Sequence, residues 1–290
     1  MKKREKVTIG HLWGAFYPAL LYYVLTTVVS IIFIAIAINQ GHLQVQDKND
    51  LTRFIQEYSL LMTFLAALIM TPVLILIKHR DMKMQRAIGA YGYKSEFFLK
   101  YLLIIPFSIT FMYAANMFVS ILEKLIPSIA HSFDDTAQAI YGANIYIQIL
   151  TAIILGPIVE ELIFRGLMYI RLKRMFGVGV ASVVTGIMFG LIHGNVSQGI
   201  YAFLFSFAAI FVYEKFKNIA APIIFHMAAN AISVLVSLAF NDYNKSSETV
   251  NTQASGSVDI TVQIGVFIFM AALCFLFGFI IKRCVNPTSK

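Results

Sequence analysis

The feature that most restricts this chain is a series of apolar runs separated by short polar connections. They fall at about 13–38, 56–77, 97–122, 145–170, 176–194, 198–214, 219–240 and 261–281. A helix of roughly 20 apolar residues crosses the ~30 Å hydrocarbon core of a bilayer, and it satisfies its own backbone hydrogen bonds, as lipid requires. The expected fold class is therefore all-α: a polytopic membrane protein with eight transmembrane helices and the lipid bilayer as its solvent. The fifth and sixth runs are short, and only Gly194 to Ser197 separates them. They read as a hairpin whose turn stops short of water. Hydrophobic residues make up 59% of the chain and charged residues 13%, against about 25% charge in a soluble domain. The basic start, Met1 to Lys6, leads into an apolar run without a small-residue cleavage site, so it reads as a first anchor rather than a removed signal.

The placement of positive charge tests this count. With the N-terminus in the cytoplasm and the spans alternating, 18 of the 23 Lys and Arg fall in cytoplasmic segments. Four (Lys48, Arg53, Lys124 and Lys245) fall in outer connections, and Arg165 lies inside a span. Cytoplasmic loops are enriched in Lys and Arg, so this split supports eight spans with cytoplasmic N- and C-termini. It also absorbs the net charge of +8, leaving no basic surface for nucleic acid. The outer connections 39–55, 123–144 and 241–260 are polar, and the last reads as a flexible solvated loop beginning at Asn241. Trp13, Tyr17, Tyr58, Tyr101, Tyr146 and Tyr169 lie near span ends, where interfacial aromatics are expected. Cys274 and Cys284 show neither metal-site nor disulfide spacing.

Glu160, Glu161 and Arg165 are the charged residues well inside a span. Each costs about 2.5–3.5 kcal/mol at the centre of an inserted helix, so such residues are rare and mark function. A headgroup location is the bland alternative, but apolar sequence continues past them to Ile170 before the basic stop at Arg171. Glu161 and Arg165 are four apart and share a helix face, so they can pair. Glu160 points about 100° away and stays available. Pro157 weakens the local helix and can open room for water.

Two histidines stand in apolar surroundings. If the chain turns near Phe176–Gly177, Glu160 and His193 return to similar depth, about 24–26 Å from the turn. His226 and Asn230 are four apart and project from one face of the seventh run. A lone histidine in a helix is more often a packed residue than a catalyst, but four polar groups on three spans tip the balance. A carboxylate and a histidine can position and deprotonate water. A second histidine with an asparagine amide can donate hydrogen bonds to a developing oxyanion. Those are the parts needed to hydrolyse an amide bond with no cofactor and no metal. No serine elbow, no HExxH pattern and no intramembrane Asp pair is present. Two alternatives stand beside this reading: a zinc peptidase using His193, His226 and Glu160 as ligands, and a non-catalytic transport or immunity protein that binds ions or peptides at the cluster.

Glu160-Glu161-Leu-Ile-Phe-Arg165-Gly166, Phe189-Gly-Leu-Ile-His193 and His226-Met-Ala-Ala-Asn230 resemble the three motifs of the CPBP family. These are the CAAX proteases and bacteriocin-processing (Abi) proteins, described as intramembrane glutamic endopeptidases. The pattern EExxxR, FxxxH, HxxxN occurs in that order on successive spans. The resemblance covers about 145–240, flanked by 1–144 (helices 1–3) and by 241–290 (outer loop and helix 8). It implies an eight-helix architecture and a metal-independent protease. Glu160 and His193 would activate water, His226 and Asn230 would form the oxyanion site, and Glu161 and Arg165 would support them. The implied partner is a peptide or membrane-protein substrate, and the implied location is a bacterial cell membrane.

Overall fold

The computed structural model describes residues 7–44, 48–87, 98–132, 144–247 and 259–285. Among them run eight principal helices. α1 (Ile9–Asn39) starts at Thr8, whose hydroxyl accepts from the His11 amide, and is followed by α2 (Lys48–Ala87). A 3₁₀ turn (Phe98–Leu103) leads into α3 (Ile104–Leu125). Then come α4 (Ile145–Phe176), α5 (Val178–Leu191), α6 (Val196–Phe216), α7 (Ala220–Ser247) and α8 (Ile260–Cys284). Seven of the described helices are long and apolar enough to cross a membrane. The exception, α5, has 14 residues and is about 21 Å long, less than the hydrocarbon core. The chain is an all-α, integral, multi-pass membrane protein.

Three expected boundaries move, the first at the start of α2, which begins at Lys48 inside the expected outer connection 39–55. The segment Asn241–Ser247 is helical rather than a loop, because no Gly or Pro interrupts the sequence from Ala231 onward to stop α7. The rest of that expected loop, 248–258, lies outside the described residues. Likewise α2 continues past Ile77 to Ala87, which draws Lys78 into the bundle: it is 8% exposed. The aromatics at span ends also divide. Trp13 and Tyr146 face outward, whereas Tyr101 and Tyr169 are buried, and the Tyr169 hydroxyl donates to Glu214 Oε1 at 2.9 Å.

Chain reversals bring the polar spans together. Gly177, at φ 85°, joins α4 to α5, a backbone region that costs glycine little. α5 then packs antiparallel to α6, with Gly194 (φ 75°) in the turn and the Asn195 side chain accepting from the Gln198 amide. A side chain on Gly190 would put its Cβ 2.7 Å from the Gly199 carbonyl oxygen. Small residues let membrane helices approach this closely. Gly190→Ala is therefore expected to cost about 1–3 kcal/mol through overpacking, read as a lower melting temperature in detergent, with His193 displaced three residues downstream.

At the end of the bundle that carries the α4–α5 turn, Arg171 binds Asp81 of α2 at 2.8 Å and the Gly14 carbonyl of α1. Glu214 of α6 holds Lys173 of α4 at 2.5 Å and also Lys217. Toward the middle, the Ser108 hydroxyl of α3 donates to the Phe225 carbonyl of α7 at 2.5 Å. The charge asymmetry further predicts opposite locations for reporters fused at residues 245 and 288. Equal locations at both sites would contradict eight spans with paired cytoplasmic termini.

Candidate active site

α4 is not one regular helix. It passes from an α turn (Ile145–Gln148) to a π segment (Ile149–Leu155), an α turn (Gly156–Glu161), a second π segment (Leu162–Tyr169) and a final α stretch (Ile170–Phe176). The cause of the first π segment is legible in Gly156-Pro157. The Gly156 amide donates to Thr151 O, five residues back, and a Cβ at Gly156 would lie 2.7 Å from that oxygen. Pro157 has no N–H to offer Ala152, its own five-back partner. The Ala152 carbonyl is thus released from the helix ladder, and Asn230 Nδ2 of α7 donates to it at 2.7 Å. At the second π segment the Gly166 carbonyl meets Lys78 Nζ of α2 at 3.5 Å. π bulges are often found at functional sites. Here the two segments bracket the short turn that carries both glutamates.

Glu161 and Arg165 form the centre of the network. Arg165 Nη1 lies 2.8 Å from Glu161 Oε1, with both side chains 0% exposed. The guanidinium sits over the Phe189 ring at 4.4 Å and within 5.8 Å of the Phe205 ring, so aromatic faces cover a cation removed from water. His226 Nδ1 approaches the same Glu161 oxygen at 2.9 Å, and its Nε2 lies 3.8 Å from Glu160 Oε2. Glu160 is 25% exposed where Glu161 is sealed. The two adjacent carboxylates therefore occupy different surroundings, one buried in a network and one reachable.

His193 sits just past the end of α5. Its Nδ1 is 2.7 Å from the Phe189 carbonyl, so that nitrogen is the donor and Nε2 carries the lone pair in the neutral ring. The Phe189 ring contacts both histidines edge to face, with centroids at 4.9 Å from His193 and 6.1 Å from His226. Glu160, His226 and Arg165 all lie within electrostatic range of His193, and Glu160 is likewise in range of Tyr22 of α1. The fold thus gathers Glu160, Glu161, Arg165, His193 and His226. Asn230 stands one turn beyond His226 at the edge of the cluster, tied to the α4 backbone. Among the described residues, no three His, Cys, Asp or Glu side chains are placed to hold a metal ion.

Three contributors escape sequence reasoning. Lys78 abuts the end of an apolar run and reads there as a headgroup residue. Tyr22 and Phe205 read as ordinary membrane packing, whereas Phe189 already stands in the FxxxH motif. The available signal was Gly166, a residue without a side chain beside Arg165: a Cβ there would lie 3.4 Å from Lys78 Nζ.

The chain is a polytopic helical protein that buries an Arg–Glu–His network between its spans and leaves a second carboxylate accessible. Residues 142–232, under a third of the chain, match the Rce1-like family, type II CAAX prenyl endopeptidases. Over 92 residues it is 28% identical to YdiL of Bacillus subtilis (strain 168), a protein provisionally named a membrane peptidase. That match covers 32% of this chain and 38% of the relative, so the chain spans well under half of YdiL's length. No solved structure matches the chain.

Proposed function

We propose that the protein is a metal-independent intramembrane endopeptidase in which Glu160 and His193 activate water and His226 and Asn230 stabilise the oxyanion. The observation that carries this reading is the unequal state of the two glutamates: Glu161 sealed against Arg165 and His226, Glu160 open and 3.8 Å from His226 Nε2. Glu161 accepts from Arg165 and from His226 Nδ1 through one oxygen, which fixes the imidazole and aims its far nitrogen toward Glu160. A water between Glu160 and His193 can give a proton to the carboxylate while His193 Nε2 holds it in place. Its oxygen then forms a bond to the peptide carbonyl carbon, and the carbonyl oxygen takes the negative charge. With Nδ1 turned to Glu161, the imidazolium form of His226 would offer Nε2–H to that oxygen. Asn230 has two amide hydrogens; one goes to Ala152 O, and the second can serve the oxyanion. Glu160 returns its proton to the departing amine as the C–N bond breaks.

The substrate class is a peptide or membrane-protein segment. CAAX-type or bacteriocin-type processing is the specific form the family suggests. Comparative peptidomics of membranes from cells carrying the wild-type or the Glu160→Ala protein should reveal peptides present with the first and missing with the second. Identical peptide profiles would defeat the proposal. With a peptide in hand, His193→Ala should match the loss seen for a Glu160 variant, since both groups act on one water. Loss of activity on chelation, restored by zinc, would instead favour His193, His226 and Glu160 as metal ligands.

A further inference from the structure

A second polar space lies beside the cluster. A partly open cavity of about 360 Å³ is lined by α3, the first π segment of α4, α6 and α7. Asn116, Ser120 and Glu123 face it from α3, Gln198 from α6, and Asn230 and Ser233 from α7. Groups of this kind inside spans need water or partners, and a polar cavity of this size holds water readily. One wall is Ala152, whose carbonyl binds Asn230, so the inner end of the cavity lies one helical turn from His226. From Asn116 to Glu123 the lining climbs toward the end of α3, and Ser197 and Gln198 open α6. The mouth therefore lies on the face where α3 ends and α6 begins, opposite the face of the α4–α5 turn.

We infer that this cavity is a hydrated vestibule that binds an extended peptide with a basic residue held at Glu123. Asn116 to Glu123 spans about 10 Å along α3, enough for about three extended residues at ~3.3 Å each. The amides and hydroxyls that line it supply both donors and acceptors, as a peptide backbone requires. Glu123 is the charged side chain among the lining residues, and its position at the outer end favours Lys or Arg over Asp or Glu. That the ligand is a peptide rests on the peptidase reading; the hydration and direction of the vestibule do not.

The test uses full-length protein in sealed vesicles of known orientation, with Cys274 and Cys284 replaced by Ala and Ser. Asn116→Cys on α3 and Ser233→Cys on α7 both report from the inner part. Leu235→Cys, on an exposed apolar surface of α7, is the lipid-facing control. A membrane-impermeant methanethiosulfonate should modify the first two from the α3-end face and leave the third unmodified. Measured in a Glu160→Gln background, acetyl-Lys-Ala-Lys-amide should slow Ser233→Cys labelling about fivefold more than acetyl-Glu-Ala-Glu-amide does, the factor an ion pair worth about 1 kcal/mol supplies. Glu123→Gln should remove that difference. Labelling from the opposite face, or labelling at Asn116→Cys without Ser233→Cys, would overturn the vestibule. Equal protection by the two peptides would overturn the role of Glu123. Labelling and protection as expected, in a protein that cleaves nothing, would uphold the vestibule while sinking the peptidase reading.

Discussion

Glu160→Gln should lower cleavage of an identified peptide by about 10²–10⁴, the usual contribution of a positioned general base. The amide keeps the size and hydrogen-bonding reach of the carboxylate but cannot take the proton of water. Because Glu160 is 25% exposed and outside the Glu161–Arg165 pair, the variant should fold and melt like the wild type, so the loss would belong to chemistry. Asn230→Ala makes the contrasting case. Losing one oxyanion donor costs about 10²–10³, with His226 still present, and the freed Ala152 carbonyl should also lower stability somewhat. Glu160→Gln protein that is properly folded and cleaves near the wild-type rate would eliminate Glu160 as the base, and with it the glutamate mechanism.

The largest expected effect on stability lies one residue away. Glu161→Ala strands Arg165 in a site with 0% exposure and leaves His226 Nδ1 without its carboxylate. Arg165→Ala strands Glu161 in the same way. Breaking one side of a buried ion pair typically costs about 3–5 kcal/mol. Arg165→Ala also removes the guanidinium from its place against Phe189 and Phe205, emptying part of the bundle centre. Both variants should give poor yields of monodisperse protein and clearly lower melting temperatures in detergent, while Glu160→Ala stays close to wild type. Similar melting temperatures for all three would refute this division between a structural and a chemical glutamate.

The segment that matches the membrane-protease family is also where the sequence was most informative. EExxxR, FxxxH and HxxxN name groups that the fold gathers in space, and spacing along one helix is enough to pair Glu161 with Arg165. It could not say which carboxylate His226 would meet. The ring contacts both, more closely Glu161 at 2.9 Å than Glu160 at 3.8 Å. Nor could spacing show that Asn230 would be spoken for by Ala152. Both outcomes depend on where α7 lies against α4, which residues far apart in the chain decide, such as Ser108 donating to Phe225 O.

What the sequence by itself determined is what a one-dimensional pattern can carry. Apolar runs of about 20 residues set the helices and the bilayer as their environment, since a helix of that length crosses the hydrocarbon with every backbone group paired within itself. Helical spacing separated Glu160 from Glu161 by face. The tertiary structure decided the rest: the second π segment at Leu162–Tyr169, and the groups on α7 and α2 that meet the Ala152 and Gly166 carbonyls. It also drew Lys78 inward along an α2 that outruns its apolar stretch. A buried donor or carbonyl must find a partner wherever the packing puts one, and that partner is chosen in space, across helices that local sequence cannot align.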